Sequence, residues 1–246
     1  MRYLKMTLEY DGTNYYGWQR QPQAHRPTIQ QVVEEVLTRV TGSPVKVTAA
    51  GRTDTGVHAL GQVISFSTVS RIPLDKFPIA VNTRLPADIR VLSAEEVGPE
   101  FNARYSAKQK TYRYLIYNAP ICSVFWRNYA AFIPYALEVP AMQETAQCFI
   151  GTHHFGGFCA SGSAVKNLVR TVSRCEIWTR PPLIGLEITA DGFLYHMVRN
   201  IVGTLLEVGR GKLSREEVLN IMASGDRTQA GPTAPAAGLY LVQVEY

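Results

Sequence analysis

Long apolar runs are missing from this 246-residue chain: no stretch reaches the roughly 18 uncharged apolar residues of a membrane span. Residues 1–10 alternate charged and apolar side chains and hold no apolar run of signal-peptide length. Cysteine is scarce. Cys122, Cys148, Cys159 and Cys175 form neither a C-x-x-C pair nor the dense spacing of a secreted scaffold, so reduced thiols in a cytoplasmic protein without a membrane span are expected. Charged residues make up only 18%, too few for a coiled coil or a disordered chain, while 46% hydrophobic residues supply a core.

Several motifs are also missing. No G-x-G-x-x-G follows a strand, which removes support for a dinucleotide cofactor. Gly209-Arg210-Gly211-Lys212 fails as a phosphate loop, because Leu213 follows the lysine and position 206 is a leucine; it reads as a helix end. His153-His154 has no carboxylate or thiolate at a ligand spacing, so no metal is expected and the pair reads as packed or exposed histidines. Ser161 and Ser163 lack the glycine frame of a nucleophile elbow.

What is present begins with a mild excess of base: 25 Lys+Arg against 20 Asp+Glu, a net charge of +5 and a pI near 9.0. That balance favours polyanionic partners. Arg104, Lys108, Lys110 and Arg113 fall within ten residues that contain no acid, and Lys166, Arg170, Arg174 and Arg180 make a second, looser basic row. A solvated surface face explains such runs equally well.

Hydrophobic periodicity predicts a strand over 3–10 ending in Asp11-Gly12, then a helix opened by Thr28 and stopped by Gly42. In that helix Ile29, Val32, Val33, Val36, Leu37 and Val40 face the core, with Glu34 and Glu35 outward. Strands over 45–50 and 62–68, a short helix over 74–82 and a strand over 89–97 complete a β-α-β-β-α-β unit. The second half repeats the rhythm: a strand over 106–118, a helix over 140–149, strands over 171–179 and 183–190, a helix over 194–208, a small helix over 214–224 and a strand over 239–246. The expectation is an α+β protein of two ferredoxin-like halves, 1–104 and 105–246, with mainly antiparallel sheets side by side and a central cleft.

The sharpest candidate for chemistry is Gly51-Arg52-Thr53-Asp54-Thr55-Gly56-Val57-His58-Ala59, a polar run framed by glycines between two strands. Glycines at 51 and 56 allow a loop that displays Asp54 to a ligand; an Asx turn, with Asp54 bonded to its own backbone, fits the same residues. Alternation puts Tyr112 and Tyr114 on one strand face and Arg113 on the other; an aromatic in a basic setting can stack on a base, or pack in the core. Arg199 sits on the edge of a helical stripe of Val198, Ile201, Val202, Leu205 and Leu206, where a guanidinium either snorkels or pairs with a carboxylate, for which Asp54 is the chosen partner.

Tyr10-Asp11-Gly12 with Tyr16-Gly17-Trp18-Gln19, Gly51-Arg52-Thr53-Asp54, Lys110-x-Tyr112-x-Tyr114, Met197-Val198-Arg199-Asn200 and Gly238-Leu239-Tyr240-Leu241 together resemble the TruA family of tRNA pseudouridine synthases. The likeness runs through nearly the whole chain, in the family's order. It implies two ferredoxin-like halves and a cofactor-independent homodimer that isomerises uridine to pseudouridine at positions 38, 39 and 40 of the tRNA anticodon stem-loop. It implies further that Asp54 is the nucleophile, Tyr112 contacts the target base, Arg52 holds the nucleotide out of the stack, Arg199 pairs with Asp54 and Leu239 walls the uracil. Thr55 stands where the family often has alanine. Two rivals remain open: a noncatalytic RNA-binding module, and a glycosidase pairing Asp54 with Asp11 or Asp191.

Overall fold

The computed structural model describes residues 1–162 and 165–246, so Ser163 lies outside the described residues. It is a mixed α+β protein whose strand pairs are mostly antiparallel. The chain divides into two units, residues 1–108 with 240–246 and residues 109–239.

In the first unit β1 (Arg2–Tyr10) pairs antiparallel with both β3 (His58–Thr68) and β4 (Ile89–Val97). Strand alternation buries Leu4, Met6, Leu8 and Tyr10 of β1. Strand β3 also takes β2 (Thr48–Ala49) antiparallel and β10 (Leu239–Glu245) parallel, the latter through Tyr240 opposite His58 and Leu241 opposite Ala59. Helix α1 (Ile29–Thr41) starts where the Thr28 side chain accepts from Gln31 N–H and stops at Gly42, whose φ of 74° ends the right-handed run. It buries Ile29, Val33, Val36 and Leu37, and α2 (Phe77–Asn82) adds Phe77 and Val81.

Glu34 corrects the sequence reading. It is buried, not outward-facing: its Oε1 accepts from Val47 N–H (3.1 Å) and Gln30 Nε2 (3.1 Å), with Lys46 Nζ 3.4 Å from Oε2. Residues 45–47 lie outside any ladder, β2 being shorter than expected, so their backbone needs a side-chain acceptor and α1 supplies it. Glu34→Ala is expected to lower the unfolding free energy by about 2 kcal/mol, the cost of stranding a buried N–H. Urea denaturation followed by circular dichroism reads it; an unchanged midpoint would mean water replaces the carboxylate at no cost.

The second unit is built on β5 (Gln109–Asn118), which pairs antiparallel with β9 (Leu183–Ala190), followed by β8 (Val169–Arg180) and β7 (Gly151–His154). A short β6 (Ala131–Ile133) pairs parallel with β5. Strands β6 and β7 were not expected; at three and four residues they are too short for an alternation signal. Helices α3 (Val139–Ala146), α4 (Met197–Gly209) and α5 (Arg215–Ser224) complete the unit. Helix α4 starts three residues later than its apolar stripe suggested, because His196 takes φ 58°, which no right-handed helix tolerates. Gly203 in α4 lets the 231–235 segment cross it: a Cβ there would lie 1.7 Å from Pro232 O.

The expected boundary at 104/105 differs from the observed division, since the last strand groups with the first unit. Lys108 N–H donates to Glu245 O (2.8 Å), Tyr246 Oη donates to Ala103 O (2.8 Å), and the Phe101 and Tyr246 rings pack 4.8 Å apart. None of these nonlocal bonds has a periodic signature. Among the described residues no helix is long and apolar enough to cross a membrane.

Candidate active site

Loop 50–57 enters β3, and two buried polar side chains, Tyr10 and Gln62, hold it. Tyr10 Oη and Thr53 Oγ1 share a hydrogen bond of 2.8 Å; Gln62 Nε2 donates to Gly51 O (2.8 Å) and reaches Tyr10 Oη (3.4 Å). Gln62 Oε1 is buried and has no hydrogen-bond partner among the described residues. From the side, Trp18 N–H donates to Thr53 O (3.0 Å), while Ile29 and Gln30 N–H cap Gly17 O and Trp18 O. The segment Tyr16-Gly17-Trp18-Gln19 thus ties the first turn of α1 to the loop. Gly17 sits at φ 70°, and a Cβ on it would approach Thr53 O to 2.6 Å.

This scaffold buries Thr53, leaves Asp54 partly exposed and sets Arg52 and Thr55 outward. The Asp54 carbonyl accepts from Val57 N–H (3.1 Å), and Gly56 takes φ 77° to close the turn, whereas Gly51 needs no positive φ. At the foot of the loop His58 is 2% exposed; its Nδ1 accepts from Gly12 N–H (3.0 Å), lies 3.2 Å from Asp11 Oδ1, and its ring stacks on Tyr240 at 4.8 Å. Asp11 also accepts from the Thr13 backbone and hydroxyl.

Burial pushes the Tyr10 phenol up from 10.0 to about 12, against the opposing hydrogen bonds from Thr53 and Gln62. Because the folded value is the higher, this group's contribution to stability is complete below pH 10 and is lost as the pH rises from 10 through 12. Tyr10→Phe is expected to cost about 1 kcal/mol at neutral pH through the unpaired Thr53 hydroxyl. The difference in unfolding free energy between wild type and variant should then shrink above pH 10. A difference that stays constant to pH 12 would show that the phenol is not buried protonated.

Arg52 and Asp54 lie in the first unit; Tyr112, Arg199 and Leu239 lie in the second. Tyr112 is buried on β5, its ring edge-on to Phe193 at 5.0 Å. Tyr114, two residues on, is the core tyrosine of the pair: it is fully buried, and its hydroxyl donates to Pro235 O (2.7 Å). Burial drives that phenol far above its usual range, with the Arg199 charge opposing. Arg199 is fixed at both ends, its carbonyl accepting from Ala234 N–H (3.1 Å) and its Nε donating to Ala234 O (2.8 Å). Leu239 is buried at the start of β10, just after Gly238, where a Cβ would meet Leu115 O at 2.6 Å and the Tyr114 ring at 2.7 Å. Within the second unit, Tyr114 and Arg199 are thus both tied to the 234–235 segment, while in the first unit Arg52 and Asp54 share the 50–57 loop. Asp191, the other carboxylate weighed for a glycosidase, accepts from Thr171 N–H on an exposed turn of the second unit.

Arg113 pairs with Glu187 (2.6 Å) and Arg174 with Glu176 and Glu187, so neither basic run is uniformly uncompensated. Among the described residues no group of three or more His, Cys, Asp and Glu side chains is placed to hold a metal ion.

A family model described as tRNA pseudouridine synthase matches residues 6–106 and 145–246. Relatives named tRNA pseudouridine synthase A match end to end. That of Moorella thermoacetica is 53% identical over 243 residues, 99% of each chain. Those of Ruminiclostridium cellulolyticum (50% over 247 residues) and Caldicellulosiruptor bescii (49% over 246 residues) cover 100% of both chains. The chain belongs to the tRNA pseudouridine synthase family. The two segments matched by the tRNA pseudouridine synthase model contain the Asp54 loop, Arg199 and Leu239, and Tyr112 falls between them. The sequence reading placed Tyr10, Thr53, His58 and Gln62 in its motifs and strands but gave none of them a role at the site. The signal available was a glutamine inside an otherwise apolar strand, where a buried amide needs partners.

Proposed function

We propose that this chain converts uridine to pseudouridine at positions 38, 39 and 40 of the tRNA anticodon stem-loop, acting in the cytoplasm as a homodimer without a cofactor. Asp54 is the nucleophilic carboxylate. Tyr112 contacts the target base, Arg52 keeps the nucleotide out of the stack, Arg199 pairs with Asp54, and Leu239 gives the uracil an apolar wall. The observation carrying this reading is the Asp54 turn itself. A partly exposed Asp54 lies in a turn held by a buried Tyr10–Thr53–Gln62 network, in a chain that aligns from end to end with tRNA pseudouridine synthases.

We also read both units as ferredoxin-like halves. In the first, the order β1-α1-β2-β3-α2-β4 with β1 between β3 and β4 supports it; in the second, β5-α3-β8-β9-α4 with β9 between β5 and β8 does.

The chemistry suits one carboxylate. The N1–C1′ bond breaks, the uracil turns, a C5–C1′ bond forms, the C5 proton leaves and N1 ends protonated, so the product is an isomer and no electrons are exchanged. Extruding the base costs a few kcal/mol, less in a loop than in a duplex.

Incubating purified protein with unmodified tRNA transcripts, without added metal or nucleotide, is expected to give pseudouridine at positions 38–40 and no free uracil. Released uracil would make the protein a glycosidase, and tRNA bound without product a noncatalytic binder.

A further inference from the structure

Residues 191–196, between β9 and α4, carry two features that the proposed chemistry does not use. Among the described residues, His196 is the one non-glycine residue at positive φ (58°). A left-handed histidine is strained where a glycine would not be, and such strain persists where the side chain has a task. Its imidazole packs on the phenol of Tyr195, centroids 4.0 Å apart and planes 33° apart, and Tyr195 remains 47% exposed.

The turn is rigidly mounted. Tyr195 O accepts from Ala160 N–H (3.0 Å), Met197 N–H donates to Leu194 O (3.1 Å), and His196 O accepts from Asn200 N–H (2.9 Å). Its neighbours are those of the candidate site: Phe193 touches Tyr112, and Arg199 lies one turn along α4. Basic charge is at hand too, since Arg170 Nε would be 3.4 Å from a Cβ on Gly192.

We propose that Tyr195, backed by His196, is a stacking platform for an unpaired RNA base flanking the target uridine, with Arg170, at Gly192 of the same turn, for the backbone phosphate. This rests on the tRNA-modifying reading above. An exposed aromatic face with a guanidinium at the same 191–196 turn, Arg170 at Gly192, suits single-stranded RNA, because every base offers a π-face and every nucleotide a phosphate. The left-handed turn then has a physical reason: it brings the imidazole beneath the phenol, so the ring meets the base already oriented.

The test measures binding of anticodon stem-loop RNA by fluorescence anisotropy, alongside pseudouridine formation. Tyr195→Ala is expected to raise Kd and KM about tenfold, equivalent to 1.4 kcal/mol, with kcat within about threefold; Tyr195→Phe, which keeps the ring, restores wild-type values. An abasic nucleotide at one flanking position should weaken wild-type binding by a similar factor and leave Tyr195→Ala binding unchanged. His196→Gly relieves the backbone, so its melting temperature should hold or rise while RNA binding weakens severalfold. Tyr195→Ala binding within twofold of wild type, or an abasic penalty equal in both proteins at every flanking position, overturns the platform. Wild-type protein that forms no pseudouridine sinks the underlying reading instead, so the two failures are distinguishable.

Discussion

Asp54→Asn is expected to reduce single-turnover pseudouridine formation by roughly a thousandfold or more, about 4 kcal/mol in transition-state free energy, while tRNA affinity stays within severalfold. The substitution keeps size and shape and removes the negative charge on which the proposed nucleophilic role depends. The turn should survive it, because what fixes the turn is backbone and neighbours: Asp54 O with Val57 N–H, Thr53 with Tyr10 and Trp18, Gly51 with Gln62. A loss of activity with unchanged melting temperature and near-native binding is therefore the specific signature. A carboxylate close to RNA phosphates repels its ligand, so a pure binding module would bind as well or better without that charge. Turnover retained by Asp54→Asn would remove the nucleophile assignment.

Gly17→Ala should produce the second large effect from outside the loop. Gly17 takes φ 70°, which disfavours any Cβ, and the added methyl would lie 2.6 Å from Thr53 O and 3.1 Å from both Asp54 C and Thr55 N. All three are backbone atoms, so no side chain can swing aside. Relief requires moving either residues 53–55 or the Gly17–Trp18 peptide, whose carbonyls cap the first turn of α1. The strain alone is worth about 1–2 kcal/mol. Displacing a reacting group by about 1 Å costs on the order of a hundredfold in rate. We therefore expect kcat to fall by about two orders of magnitude, with a melting temperature several degrees lower and KM little changed. A variant with wild-type kcat would show that the Asp54 turn tolerates displacement and is not preorganised.

Both predictions turn on residues that the sequence revealed to different degrees. Asp54 stood out because a polar, glycine-framed run interrupts two apolar stretches. Gly17 could be placed in a motif, but its reason is visible only once the Thr53 carbonyl is seen against it. Tyr10 reads as an ordinary last residue of an alternating strand, yet its hydroxyl anchors the Asp54 turn. Glu34 reads as a solvated helix residue and is instead the acceptor for Val47. Tyr112 and Tyr114 share a strand face as alternation requires; that Tyr114 is the one locked to Pro235 depends on a segment 121 residues away.

By itself the sequence determined the local elements: strands at 89–97 and 183–190 to the residue, helix α1 with its Thr28 and Gly42 caps, and the position of the Asp54 loop between strands. These follow from side-chain period, capping chemistry and glycine φ, all encoded within a few residues. Tertiary structure alone decided that residues 240–246 belong with the first unit, that Glu34 is buried, that His196 is left-handed, and that Tyr10, Gln62 and Trp18 clamp one turn. Each of these depends on a buried polar group or a strained backbone finding its partner elsewhere in the chain. Satisfying such a group is a requirement on the whole fold, and no local pattern records which distant atom meets it.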